Sequence, residues 1–378
     1  MTSRLLSDQS DNITLDYHRQ HPEISLERHF RSKFLAIADR VLARKRIYLD
    51  TRFWVLLRKV CLGRPDDPLH AQILTQLRLL VKASKVICPI NATTLAELLK
   101  QNDPVTRLAT AKLIDELSDG TALQSEEERV GTELKHCIQL TIRGSAALVP
   151  LERLVWTSTP YVLGSTTLMV ESLPKDELLA WQKSFADYLW DVPLADQISR
   201  LPEIPAHLTE GWNVIAANLN RDIAKQDVKA KSFTVIREHE FKGALEVRLP
   251  KLTKMFVHLY GMGAPQSAQE LGCAEKSARD LIQVLAEALR RDKLGRQLPS
   301  LVIRSGLYAA LRRNPKRPLT GNDLHDVGHA TAALAYCDYF ATEKFLRHLV
   351  VNELKFDRQY DTIVIAEASE FLALLERL

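Results

Sequence analysis

The residues best suited to chemistry in this chain are carboxylates that fall near the ends of predicted elements. They are most concentrated in the late segment Asn322–Phe345, around one short helix and the strand that follows it. Such a density of negative charge beside apolar structure is costly unless a cation neutralises it, because like charges raise one another's pKa. We therefore interpret this segment as half of a divalent-metal site. The predicted metal ligands are Asp50, Glu97, Asp323, Asp326, Asp338 and Glu343.

Carboxylate oxygens are the ligands that hard cations prefer, so the predicted cofactor is Mg²⁺ or Mn²⁺. Such an ion can activate water for attack on a phosphodiester and neutralise the charge that builds on the leaving oxygen. The set therefore predicts hydrolysis of nucleic acid. Asp50, Glu97 and Asp326 are the primary ligands in this interpretation, and Asp323 is an outer ligand or positions water.

A parallel α/β sheet is the scaffold that would bring these distant acids together. Strand patterns at Arg46–Leu49 and Lys85–Ile90 alternate with helical patterns, and further strands are predicted at Tyr339–Thr342 and Thr362–Ala366. Functional residues of open α/β sheets gather beyond the carboxyl ends of the strands. Asp50 directly follows the first strand and is expected there.

The middle of the chain has a different pattern. Residues 1–102 read as an N-terminal helix and the first half of the α/β domain, and residues 299–378 as its second half. Long helical patterns fill residues 103–298, which predicts a large all-helical insertion that selects the substrate or gates access to it. Within it, the spacing in Ser267–Ile282 fits a helix-turn-helix, although helical hairpins often share that spacing.

Composition and charge narrow the class of protein. A net charge of +4 permits an anionic partner without requiring one. The five cysteines are scattered without a CxxC pair, which favours reduced thiols in a cytoplasmic protein over a disulfide framework. The most apolar middle stretch, Leu151–Val170, is too polar and interrupted to cross a bilayer, so no membrane role is expected.

Three segments together resemble the PIN-like nuclease superfamily, in particular large bacterial PIN-like proteins with a helical insertion. They are IYLDT at Ile47–Thr51, PINATTLAELL at Pro89–Leu99, and NDLHDVGHA followed by YCDYFATEKFLRHL. The resemblance implies a Rossmann-like, three-layer α/β/α domain with a central parallel sheet. It also implies that three or four acidic residues bind Mg²⁺ or Mn²⁺, most often for RNA cleavage.

Carried over by position, Asp50 matches the first acidic residue of the family, Glu97 the second and Asp326 the third. The fourth is Asp338 or Glu343. Many family members have an aspartate after the threonine of the final motif, whereas here Thr342 is followed by Glu343 and Lys344. Because a lysine at that place can compete for a carboxylate, both assignments stay open.

Each part of this segment also has a simpler interpretation. Asp323 and Asp326 stand at a helix start, where carboxylates commonly cap the helix. His325 and His329 are four residues apart and could share a zinc ion, but no third nitrogen or sulfur ligand stands nearby. The His325–Asp326 pair also occurs in HD phosphohydrolases, which need further histidines upstream.

Basic residues precede the acidic helix and are predicted to bind a phosphate backbone; a solvated loop is the ordinary alternative. The expected partner is therefore nucleic acid, with RNA favoured, and a regulatory protein or a second copy of the chain is also allowed. The alternatives for the function are a catalytically inactive PIN-like module that binds nucleic acid or protein, and a nuclease acting on DNA flaps or single strands. The predicted nucleic-acid contacts are Arg304, Arg312, Arg313, Lys316 and Arg317.

Overall fold

The computed structural model of the chain contains two compact units. The first comprises Met1–Thr209, Tyr336–Lys344 and Thr362–Leu378, and the second comprises Glu210–Ala335 and Phe345–Asp361. The chain thus leaves the first unit twice and returns to it twice, and the boundaries predicted at residues 103 and 298 do not coincide with these divisions. The structure describes residues 14–144, 148–164, 166–200, 206–225, 232–259, 268–313 and 317–378.

Helices make up most of both units. Residues 14–20 are helical, two short 3-10 turns span Leu151–Arg153 and Thr159–Tyr161, and a π-helix spans His348–Glu353. The α-helices are α1 Leu26–Leu42, α2 Thr51–Cys61, α3 Pro68–Lys82, α4 Ala92–Leu99, α5 Pro104–Ser118, α6 Glu126–Arg143, α7 Lys175–Trp190, α8 Leu194–Arg200, α9 Ala206–Lys225, α10 Phe233–Glu246, α11 Leu249–Leu259, α12 Ala268–Arg290, α13 Pro299–Arg312, α14 Gly321–Tyr336, α15 Lys344–Arg347, α16 Phe356–Tyr360 and α17 Ala368–Leu375.

The first unit contains a small parallel sheet of four strands. In chain order these are β1 Lys45–Leu49, β2 Val86–Ile87, β5 Tyr339–Ala341 and β6 Ile363–Ile365. Their order in the sheet is β2-β1-β5-β6, and each neighbouring pair is parallel. They overlap the four predicted strands, so the α/β pattern of the sequence corresponds to a real, though small, parallel sheet.

An antiparallel pair of strands overturns the expectation that residues 103–298 are all helical. β3 Thr121–Leu123 pairs with β4 Trp156–Ser158, and Ile90, just after β2, forms a parallel bridge to Ala122 of β3. The chain beyond residue 103 therefore continues in the first unit. Strands of three residues are too short to show an alternating pattern, which is why the sequence did not reveal them.

Burial and capping explain why these segments take their structure. Ile47, Tyr48 and Leu49 of β1 are all fully buried, as is typical of a parallel strand covered on both faces. The helices that follow β1 and β2 are capped by the side chains of Asp50 and Asn91. The side-chain oxygen of each cap accepts a hydrogen bond from a backbone N–H in the first helical turn.

The second unit is built from long helices. In it α10 packs against α13, and α11 packs against α12. Ala268–Arg290 is one continuous helix, so no helix-turn-helix forms over residues 268–282; Ser267 itself lies outside the described residues. None of the helices in the described ranges is both long and apolar enough to cross a membrane.

A glycine on α13 marks a close contact in the second unit. A Cβ on Gly306 would lie 2.6 Å from Cζ of Phe356, whose side chain is buried and cannot swing into solvent. We expect Gly306→Ala to lower the free energy of unfolding by about 1–2 kcal/mol, since overpacking outweighs the gain in helix propensity. Chemical denaturation measures the change.

The matched control is Gly243→Ala on α10, where a Cβ meets no atom within 4 Å. Alanine there is expected to stabilise the helix by up to about 1 kcal/mol. A gain in stability for both variants would show that Phe356 does not constrain residue 306.

Candidate metal centre at the carboxyl edge of the sheet

Acidic residues follow three adjacent strands of the parallel sheet. Asp50 comes directly after β1, Glu343 is two residues beyond β5, and Glu367 is two residues beyond β6. Because the three strands run parallel and in register, all three acids lie at the same edge of the sheet. Glu367 is not among the predicted ligands, although it directly follows the predicted strand Thr362–Ala366, which was a usable signal.

Asp50 is held firmly at this edge. Its backbone N–H donates to the carbonyl of Ala341 at the end of β5 (3.0 Å), and its carboxylate accepts from the backbone N–H of Phe53 (3.3 Å). The side chain caps α2 and is only 5% exposed. The residue therefore joins the ends of two strands and the start of one helix.

Glu97 reaches the same place from α4. Asn91 caps this helix by accepting the N–H of Thr94 (3.0 Å), which fixes where its first turn begins. The half-buried carboxylate of Glu97 then accepts a hydrogen bond from the hydroxyl of Thr51, the residue next to Asp50. The sequence prediction that Asp50 and Glu97 belong to one neighbourhood agrees with this contact.

Asp338 lies at the opposite edge, so the expectation that it joins Asp50 is wrong. It precedes β5, and its carboxylate accepts from the backbone N–H and Nε of Arg46 (both 2.8 Å) and from Nη2 (3.1 Å). Lys45 Nζ is also 3.8 Å away. Burial alone would raise the pKa of Asp338, but the hydrogen bonds from Arg46 outweigh it and hold the pKa below its ordinary value.

Of the two candidates for the fourth acid, Glu343 is therefore the one at the carboxyl edge. Its side chain is half-buried. The neighbouring Lys344 forms an exposed ion pair with Glu367 (2.7 Å). An exposed pair of this kind contributes little to stability.

Asp323 serves the start of α14 rather than a metal. One carboxylate oxygen accepts from the backbone N–H and hydroxyl of Thr320 (both 2.7 Å), and the Asp323 N–H returns a hydrogen bond to that hydroxyl (3.3 Å). The other oxygen pairs with Arg317 (2.7 Å). This reciprocal arrangement is a capping box. Both oxygens are thus engaged, which contradicts the predicted outer-ligand role.

Asp326 is half-buried on the same helix, in the second unit, and its assignment as a ligand stays a prediction of the sequence. His325 and His329 are both buried, and the His325 ring packs against Trp212 with centroids 4.8 Å apart. Neither histidine belongs to a group of three potential ligand atoms within 4.8 Å of one another among the described residues. The zinc interpretation therefore gains no support.

The predicted phosphate-binding residues have different environments. Arg312 is buried in an ion pair with Glu240, so the expectation that it contacts nucleic acid is wrong. Arg317 pairs with Asp323 and lies over the ring of Phe345 at 4.5 Å. Arg304 lies 5.0 Å from the ring centroid of Tyr308, Arg313 is exposed, and Lys316 falls outside the described residues.

The predicted ligands Asp50, Glu97 and Glu343 do not converge on a single point. Asp50, Glu97 and Glu343 do not form a trio of ligand atoms within 4.8 Å of one another; in the described part of the chain such a trio occurs at His18, His29 and Asp187. An ion at the sheet edge would thus be bound by one or two carboxylates and water, which suits Mg²⁺ better than a cation that needs a closed protein cage.

No protein-family model, no curated protein and no solved structure matches this chain.

Proposed function

We propose that the chain is a divalent-metal-dependent nuclease of PIN-like type, acting most readily as an endoribonuclease, with its site at the carboxyl edge of the parallel sheet. The observation that carries this proposal is the hydrogen bond between the Thr51 hydroxyl and the Glu97 carboxylate. It brings an acid from α4 next to Asp50, which is itself tied to β5 through Ala341. Acids that the sequence separates are thereby gathered at the end of one sheet.

The donors at this edge suit the proposed cofactor. The predicted ligands at this edge are all carboxylate oxygens, and none is a thiolate or an imidazole. This composition favours Mg²⁺ or Mn²⁺ over softer metals. Asp50 and Glu97 would hold the ion, and Glu343 lies two residues beyond the neighbouring strand β5. When bound, the ion supplies an activated water and charge neutralisation at the scissile phosphate. The protein's own part is to hold the carboxylates in place.

The capping role of Asp50 favours the alternative of a catalytically inactive PIN-like module, because a helix cap alone explains its contact with Phe53. The two functions differ in a simple property. A ligand that binds the native state raises the melting temperature, so the nuclease is stabilised by Mg²⁺, which prefers oxygen ligands, and the inactive module is not. Thermal unfolding with and without Mg²⁺ separates them.

The direct test is cleavage of labelled single-stranded RNA by the full chain in Mg²⁺, in Mn²⁺ and in excess EDTA. We expect cleavage with either metal and none with EDTA. Single-stranded DNA and a DNA flap in parallel reactions distinguish an RNA-directed from a DNA-directed nuclease. Cleavage that is indifferent to the chelator would contradict the proposal.

Glu97→Gln tests the carboxylate itself. Glutamine keeps an oxygen that accepts a hydrogen bond from Thr51, so we expect the fold to be unchanged. The rate of metal-dependent cleavage should fall at least about tenfold, which is the smallest loss expected when a residue that supports a metal ion is removed. Glu116→Gln, on the neighbouring α5 and paired with Arg78 (2.7 Å), is the matched control and should cleave normally. Equal rates for the two variants would remove Glu97 from the site.

Asp326→Asn belongs in the same assay, because its role as third acid comes from the resemblance. A fall in the metal-dependent rate comparable to that of Glu97→Gln is the expected result. An unchanged rate would show that Asp326 is not part of the metal site.

A further inference from the structure

A second cluster of potential metal ligands lies in the first unit, apart from the acids considered above. His18 comes from the helical residues 14–20, His29 from α1 and Asp187 from α7. His18 Nε2 is 2.7 Å from one oxygen of Asp187, and His29 Nε2 is 3.0 Å from the other. These ligand atoms all lie within 4.8 Å of one another.

The cluster is accessible from a cleft of about 620 Å³. All three residues line this cleft, together with polar side chains that include Arg28 and Ser32. His18 is nevertheless only 3% exposed, and the Asp187 side chain is 21% exposed. The ligand atoms are thus fixed in a largely buried wall while one side of the cluster stays open to small solutes.

The pKa values of His18 and Asp187 both lie below their ordinary values. Burial lowers the pKa of His18 despite its hydrogen bond to Asp187. Burial alone would raise the pKa of Asp187, but hydrogen bonds from His29, Lys33 and His18 hold it well below its ordinary value. A neutral imidazole and an ionised carboxylate are the forms that coordinate a cation.

We propose that His18, His29 and Asp187 form a binding site for a borderline divalent transition-metal ion, with Zn²⁺ as its representative. Two imidazole nitrogens and one carboxylate oxygen are the donors that Zn²⁺ accepts, whereas Mg²⁺ prefers oxygen alone. Three protein ligands leave a fourth coordination position for water or a small anion from the cleft. Structural zinc sites, by contrast, use four protein ligands.

Lys33 supplies the counter-charge in the metal-free protein. Its Nζ lies 2.7 Å from the same Asp187 oxygen that His29 approaches, and 5.4 Å from the Trp190 ring centroid. A bound ion must displace this ammonium group, because two positive charges would otherwise compete for one carboxylate. The lysine therefore weakens metal binding and provides a variant with a predicted gain of affinity.

The test is titration of the chelator-stripped full chain with Zn²⁺ followed by calorimetry, and with Co²⁺ followed by visible absorption, which reports coordination geometry. Excess Mg²⁺ in every sample occupies the carboxyl edge of the sheet, so this experiment is independent of the nuclease proposal. We expect one ion per chain and an intense visible spectrum of low-coordinate Co²⁺.

Four variants, each checked for folding by circular dichroism, complete the design. His18→Gln and His29→Gln should each weaken binding by about 100-fold or more, and Lys33→Met should strengthen it by about tenfold. His21→Gln is the matched control, because His21 is exposed and pairs with Glu23 (3.0 Å); its affinity should equal that of wild type. No uptake by the folded wild type, or equal affinity for His29→Gln and His21→Gln, would overturn the proposal.

Discussion

Asp50→Asn is expected to lower metal-dependent cleavage at least about 100-fold while the free energy of unfolding stays within about 1 kcal/mol of wild type. Asparagine caps a helix as well as aspartate does, so the contact with the Phe53 N–H is kept. The backbone bond to Ala341 does not involve the side chain. The substitution removes the negative charge that a carboxylate supplies to a metal. RNA cleavage in Mn²⁺ and urea denaturation measure the two quantities.

The control for this variant is the same substitution at a helix cap outside the site. Asp103 caps α5 by accepting from the N–H groups of Val105 (3.3 Å) and Thr106 (3.0 Å). Asp103→Asn should leave both cleavage and stability near the wild-type values. Normal cleavage by a folded Asp50→Asn protein would reduce Asp50 to a cap and exclude it from the metal site.

Asp338→Asn is expected to have the reverse effects, a loss of about 2–4 kcal/mol of unfolding free energy and unchanged cleavage per folded molecule. Asparagine loses the charge that neutralises Arg46, whose side chain is 20% exposed, and a half-buried cation without a partner is costly. The same pair links β1 and β5, because the Asp338 N–H also donates to the Arg46 carbonyl (3.0 Å). Urea denaturation of the variant measures the loss.

The pH dependence of this effect has a definite sign. The pKa of Asp338 is lower in the folded than in the unfolded chain, so its stabilisation is complete above the unfolded pKa of about 4 and disappears as pH falls through the folded pKa. The difference in stability between wild type and variant should therefore be constant near neutral pH and shrink in acid. Asp66→Asn, which breaks the exposed pair with Lys59 (2.6 Å), should cost less than about 1 kcal/mol at any pH. A similar small cost for Asp338→Asn would contradict this account.

The sequence was sufficient to find the sheet because its strands carry local signals. The apolar run ending at Asp50 and the cap at Asn91 each specify where a strand stops and a helix starts. The sequence also contained the information needed to choose between Asp338 and Glu343 as the fourth acid. They stand on either side of a three-residue strand, so only one of them can lie at the carboxyl edge of a parallel sheet.

Contacts between segments that are distant in the chain could not be predicted from the sequence. His18 and His29 are separated from Asp187 by 169 and 158 residues, and nothing local to any of them indicates the others. Arg312 illustrates the same difficulty, since only the packing of α10 against α13 reveals that Glu240 neutralises it. Charges near a predicted site cannot be divided into ligand-binding and structural residues until their partners are known.

The pairing of β1 with β5 has a consequence for synthesis of this protein. Residues 46 and 338 are hydrogen-bonded although 292 positions separate them. Closing so long a loop has a high entropic cost and slows folding. On the ribosome, one side of β1 must stay unpaired until β5 has emerged. During that interval the nascent chain exposes an apolar strand edge, which makes it a substrate for chaperones and prone to aggregation.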